Sequence, residues 1–185
     1  SLRLSAVCQN LYEAGRSVGR EAAARLPRDC KVLFTQHSAG ISALDDRLRG
    51  IREEVGKKGI TGGVVITGIT PAESKEVIEK ALRADPDIKA VLATGQADTE
   101  GAGLAVEAGF PERGLYVAGF DLAPNTHRLI KQGVIDFTVD QQPYTQGYYP
   151  VIQLALFLRY GIRPSDMDTG ATIIRAEDVD RVLRL

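Results

Sequence analysis

The chain has 185 residues, 44% of them hydrophobic and 25% charged, with a formal net charge of −1. That length suffices for one domain with a buried core, and the near-neutral charge argues against nucleic acid or an anionic membrane as partner. Every apolar run falls short of the roughly 18 residues that a bilayer span needs.

The chain opens at Ser1-Leu2 with no initiator Met and no basic or apolar leader, so a fragment is expected, with Ser1-Leu2 a cloning remnant. From there short β-rich runs alternate with helical patterns. The run at 3–7 leads into a helix at 11–25, 31–35 into 42–58, 63–67 into 71–84 and 88–93 into 97–109. Then 115–119 leads into 124–132, 135–139 into 145–160, and 171–174 into 176–184. Most runs are four to six residues of Val, Ile, Leu and Ala without polar alternation, as in strands buried on both faces of a parallel sheet. The expected fold is therefore α/β: a doubly wound, mainly parallel sheet flanked by helices.

Local signals agree. Thr70-Pro71-Ala72-Glu73 reads as an N-cap, a first-turn proline and a completed capping box. Ser42-Ala43-Leu44-Asp45 reads as a weaker version, and Gly59, Gly109 and Gly133 as left-handed helix stops. Gly101 and Gly103 are expected to let a helix pack closely on the sheet. Cys8 and Cys30 lack metal-ligand spacing and are expected to be buried free thiols. A boundary is expected near Gln141-Gln142-Pro143, before a helix crowded with Tyr144, Tyr148, Tyr149, Phe157 and Tyr160. That helix is either a surface that packs on something else or a core helix.

Ligands of open α/β sheets bind beyond the carboxyl ends of the strands. That rule selects Gln36, His37, Ser38, Asp46, Arg47 and Arg49 after the second strand. It selects Gly68, Ile69 and Thr70 after the third, and Thr94, Gly95, Gln96 and Asp98 after the fourth. Asp121 follows the fifth strand, and Asp140, Gln141 and Gln142 the sixth. Arg and Asp suit adjacent hydroxyls, each of which donates and accepts. Arg47 and Arg49 cannot both face one cleft, because two residues along a helix they point about 200° apart. His37 and His127 are the only histidines, His127 is expected to be exposed, and no HExxH, nucleophile elbow or Walker loop occurs. The glycine-rich run from Gly95 to Gly103 lacks dinucleotide-binding spacing. Neither a catalytic residue nor a cofactor or metal is expected, and an α/β transferase is disfavoured.

Three segments carry a resemblance: Asp46-Arg47-Leu48-Arg49-Gly50, Val117-Ala118-Gly119-Phe120-Asp121, and Thr138-Val139-Asp140-Gln141-Gln142-Pro143-Tyr144-Thr145-Gln146-Gly147. With Ala84 to Val91 before the fourth strand, they make the sequence resemble the ribose-binding and related sugar-binding proteins of ABC importers, in the periplasmic-binding-protein type I superfamily. The resemblance runs from Asn10 to Ile174. It implies two lobes joined by three crossings, with a small sugar held between them by hinge closure. This chain would be the carboxy-terminal lobe (1–142), a segment returning to the amino-terminal lobe (143–165) and a final strand and helix rejoining the hinge (166–185).

By the same resemblance the ligand arginine is Arg47, in R-x-x-G, the aspartate after Gly-Phe is Asp121, and the hinge glutamine is Gln141. Gln96 or Asp98 stands where the family has an Asn-Asp pair, and Ile69 where a ribose binder stacks a phenylalanine; both departures speak against ribose itself. The implied partners are a small sugar and a membrane permease. Neither nucleic acid nor direct membrane insertion is implied, the parent's location is periplasmic or secreted, and the isolated lobe is expected to bind weakly and to risk a non-native dimer. The alternative is the effector domain of a lactose-repressor-like regulator, which shares the fold and the arginine.

Overall fold

The computed structural model describes residues 3–182. Its strands are β1 (Val7–Cys8), β2 (Lys31–Gln36), β3 (Thr61–Ile66), β4 (Ile88–Ala93), β5 (Tyr116–Phe120), β6 (Phe137–Asp140), β7 (Met167–Asp168) and β8 (Thr172–Ile174). The helices are α1 (Leu11–Arg25), α2 (Ser42–Gly56), α3 (Pro71–Ala84), α4 (Gln96–Gly109), α5 (Pro124–Lys131), α6 (Pro143–Tyr160) and α7 (Val179–Val182). Six strands form one sheet in the order β3-β2-β4-β5-β6-β8, parallel except for the antiparallel β6–β8 pair.

Side-chain alternation divides the core. Val32, Phe34, Ala90, Leu92, Ala118 and Phe120 point to the face covered by α1 and α2. Leu33, Val91 and Val117 point to the face where α3, α4 and α5 pack. Successive strand residues face opposite sides, and since helices cover both, the runs carry no polar alternation. The expected doubly wound α/β sheet is the one observed.

Several local expectations are met. The α3 capping box is complete, with Glu73 N–H donating to Thr70 Oγ1 at 3.3 Å and Thr70 N–H to Glu73 Oε2 at 3.0 Å. Gly59 and Gly133 have φ of 74° and 73°, which glycine tolerates without strain.

Others are corrected. The strand expected at 3–7 is only Val7–Cys8 and lies outside the main sheet, paired with β7, a strand not anticipated. Its ladder stays short because the Asp166 and Asp168 carboxylates accept the Ala6 and Asn10 N–H groups on either side. The edge strand β3 begins two residues earlier than expected and is largely open to solvent, so it is not buried on both faces. Ser42 is the first helical residue and not the cap, and Asp45 instead accepts from Gln36 Nε2 at 2.9 Å.

Gly109 remains helical. Gly101 and Gly103 make room for helix contacts, since an added Cβ would lie 2.4 Å from Ser74 Cβ of α3 and 2.8 Å from Leu129 Cδ1 of α5. The thiols are free, but Cys8 is exposed and Cys30 half-buried. His127 is half-buried, its Nε2 3.3 Å from Asp180 Oδ1. The last helix covers only Val179–Val182 of the expected 176–184, and 183–184 lie outside the described residues, as do Ser1 and Leu2.

Helix α6 has no buried residue. It presents Tyr144, Val151, Leu154, Leu158 and Tyr160 to solvent, Leu158 at 74% exposure. No helix among the described residues is long and apolar enough to cross a membrane.

Candidate functional site

From β2 the chain steps outward to β3 and then returns across β2 to β4. The loops leaving β2 and β4 therefore diverge, and the crevice between them is where this architecture places ligands. A cleft of about 390 Å³ lies there, lined by His37 after β2, Ile69 after β3, Gly95 and Gln96 after β4, Asp121 after β5, and Arg47 from α2. A second cleft of about 620 Å³ shares Gln96 and Asp121 with the first and extends along Gln141, Gln142 and Tyr144.

Arg47 is only 4% exposed. It reaches from α2 across the ends of the strands, and Nη1 donates to the Thr94 carbonyl at 3.0 Å. Nη2 donates to Gln9 Oε1 at 2.9 Å and to Gln141 Oε1 at 3.3 Å. The guanidinium lies over the Phe120 ring, 4.1 Å from its centroid, a favourable cation–π arrangement. Its buried Nε has no hydrogen-bond partner among the described residues. Burial lowers the guanidinium from its ordinary pKa, opposed by the Asp121 and Asp98 charges; an arginine nonetheless stays protonated at neutral pH. Arg49 points away into solvent over Tyr12 and pairs with Asp46 at 2.8 Å, as the 200° argument requires.

Asp121 follows β5 with φ of 68°, in the left-handed region that Asp visits more readily than most residues. Its N–H donates to the Val139 carbonyl at 2.9 Å, and its own carbonyl accepts from Thr138 Oγ1 at 2.7 Å. These bonds hold the turn that aims the carboxylate into the cleft. Gln141 Nε2 donates to Asp121 Oδ1 at 2.7 Å. Gln141 thus accepts from Arg47 and donates to Asp121, which fixes its amide orientation and links two opposite charges by one neutral group. Burial raises the Asp121 pKa, while Arg47 and the Gln141 amide work against that rise.

Asp98 lies elsewhere. It is 0% exposed and accepts from Thr35 Oγ1 at 2.8 Å, Thr94 N–H at 2.9 Å and Gly95 N–H at 3.0 Å. It closes the first turn of α4 below the cleft floor, and burial pushes its pKa up to about 6. Its neighbour Gln96 is exposed on the cleft wall. Ile69 is 72% exposed at the cleft rim. The structure therefore brings Arg47, Asp121, Gln141, Gln96 and Ile69 together and leaves Asp98 as a buried support.

Gln9, which touches Arg47, carries no mark in the sequence. Gln9 immediately follows β1, a two-residue strand with no periodic signal. His37, which the sheet rule selects but the family resemblance does not, also lines the first cleft.

The two clefts thus place the Gln96, Gln141 and Gln142 amides, the Arg47 guanidinium, the Asp121 carboxylate and the apolar Ile69 rim side by side. Residues 1–161 match the periplasmic binding protein domain family, and the chain belongs to that family. It is 30% identical over 191 residues to the Xylose/arabinose-binding protein XylF of Sulfolobus acidocaldarius, a match covering 97% of this chain and 46% of that protein. Among solved structures it resembles the glucose-galactose binding protein GanP of Geobacillus stearothermophilus at 29% identity and a TM-score of 0.85, covering 96% of this chain and 64% of that one. A periplasmic ribose ABC transporter protein from Conexibacter woesei matches at 26% identity and a TM-score of 0.87, covering 100% and 63%. The chain thus spans about half the length of its curated relative and under two thirds of these solved chains.

Proposed function

We propose that this chain is the carboxy-terminal lobe, with hinge crossings, of a sugar-binding receptor that delivers a monosaccharide to an ABC importer. Arg47, Gln141 and Asp121 grip sugar hydroxyls from below, with Gln96 and Ile69 at the rim. The observation that carries this reading is the hydrogen-bonded run Arg47–Gln141–Asp121, contributed by three different elements at one crevice. A hydroxyl both donates and accepts, so it can pair with the carboxylate and the guanidinium together. An epimer that leaves one of these buried groups unpaired loses affinity.

The relatives' names give a sugar class that the cleft suits: pentoses and hexoses, small and neutral. Residues 1–142 form the lobe, 143–165 the segment that packs on the amino-terminal lobe, and 166–185 the return to the hinge. The exposed apolar face of α6 supports that division. In this reading the protein performs no catalysis, acts outside the cytoplasmic membrane, and meets a permease after closure. Asp140-Gln141-Gln142-Pro143-Tyr144 favours transport over the effector domain of a regulator.

The test is calorimetric titration of the two-lobe parent and its Asp121→Asn variant with D-xylose, L-arabinose, D-ribose, D-glucose and D-galactose. Losing a hydrogen bond to a charged group lowers affinity roughly 10- to 100-fold, and that loss is the expected result. Unchanged affinity would remove Asp121 from the site.

A further inference from the structure

Gln9 belongs to none of the grip positions discussed above, yet it is 4% exposed and uses both ends of its amide. Its Oε1 accepts from Arg47 Nη2 at 2.9 Å, and its Nε2 donates to the Gly170 carbonyl at 2.9 Å. Gln9 leaves β1 on the first chain crossing, and Gly170 lies just past β7 on the last. Gln141 begins the middle one, and its carbonyl accepts from Thr169 Oγ1 at 2.8 Å and Gln146 Nε2 at 2.7 Å. All three crossings therefore meet around the Arg47 guanidinium, and Gln9 is the side chain that ties it to the outer pair.

We infer that Gln9 is a positioning residue: it sets the depth and direction of Arg47 and couples that side chain to the crossings about which the lobes turn. The inference rests on the receptor reading of Arg47. A buried guanidinium with only neutral partners depends on each of them for its orientation. Gln9 supplies one of the three, and its own amide cannot rotate without breaking the bond to Gly170. When Gln9 is removed, Arg47 keeps its charge but loses its fixed direction, so the cost falls on the sugar contact that Arg47 makes.

The experiment is a double-mutant cycle in the two-lobe parent: wild type, Gln9→Met, Arg47→Lys and the double variant. Affinity is read for whichever of D-xylose, L-arabinose, D-ribose, D-glucose or D-galactose binds the wild type. Gln9→Met keeps length and bulk while deleting both hydrogen bonds. It should weaken binding roughly tenfold in the wild-type background, and less than about twofold when Arg47 is already lysine. A general loosening of the fold would give the same factor in both backgrounds. Unfolding midpoints are recorded for each variant; should Gln9→Met fail to fold, Gln9→Asn, which withdraws the amide by one methylene, takes its place in the same cycle. Additive effects, or affinity within twofold of wild type, overturn the inference while leaving the receptor reading intact. A wild-type parent that binds none of the sugars overturns both.

Discussion

Asp98 carries its carboxyl at a pKa of about 6, against an ordinary value of 3.8, because burial penalises the charge more than its three hydrogen bonds favour it. Between those two values the folded state holds a proton that the unfolded chain has lost. Stability from this group is thus full below about pH 4 and declines as pH rises through about 6. The slope is at most about 1.4 kcal/mol per pH unit. Asp98→Asn cannot ionise, so wild type should lose stability relative to this variant from pH 4 to 6 and then level off. Urea unfolding of both parent proteins at pH 4, 5, 6 and 7 checks this, and a difference independent of pH would contradict it. The same residue shows where reading the sequence fell short. A polar side chain just past a strand looks like a ligand, and only its helix position distinguishes it: as the third residue of α4, Asp98 turns back to bond the Gly95 N–H. Gln96, two places earlier, has no such bond and faces the cleft.

Helices α1 and α2 cross at small residues, and this contact sets the height of Arg47. A Cβ on Gly15 would lie 2.1 Å from the Arg47 carbonyl oxygen, and one on Gly50 would lie 2.3 Å from that of Tyr12. Both obstacles are backbone, so the helices must part to admit a methyl group. Gly15→Ala should cost roughly 1–3 kcal/mol as α2 lifts away from α1. Gly56→Ala, at the open end of the same helix with nothing within 4 Å, should instead stabilise by about 0.4–1 kcal/mol. Urea unfolding of the two variants reads both effects, and equal outcomes would contradict this account of the crossing. Elements of this size were the most legible in the sequence. The α3 capping box and the β2 and β4 runs each depend on local chemistry that the sequence displays directly. By contrast β1 and β7 are two residues each, and their pairing joins positions about 160 apart, so no local pattern announces them.

At the scale of the whole molecule helix α6 stands apart, and the proposed function gives it a partner. Two packed layers bury both faces of the sheet, while α6 stands outside them with its apolar side chains in solvent. Such a face is unusual for a domain that is complete in itself, and the relatives are longer by a third or more of their length. The aromatic crowding of this helix was visible from residue types alone; that it is surface and not core required the tertiary arrangement. The cleft likewise has a floor and rim in this chain, and the proposed function supplies its roof from a second lobe.

The measurement that tests the central claim most directly is thermal unfolding of the two-lobe parent with each of D-xylose, L-arabinose, D-ribose, D-glucose, D-galactose and myo-inositol. A ligand at about 100 times its dissociation constant adds roughly 2.7 kcal/mol, which raises the midpoint by several degrees. The account predicts such a rise with at least one of these compounds; no rise with any of them would contradict it.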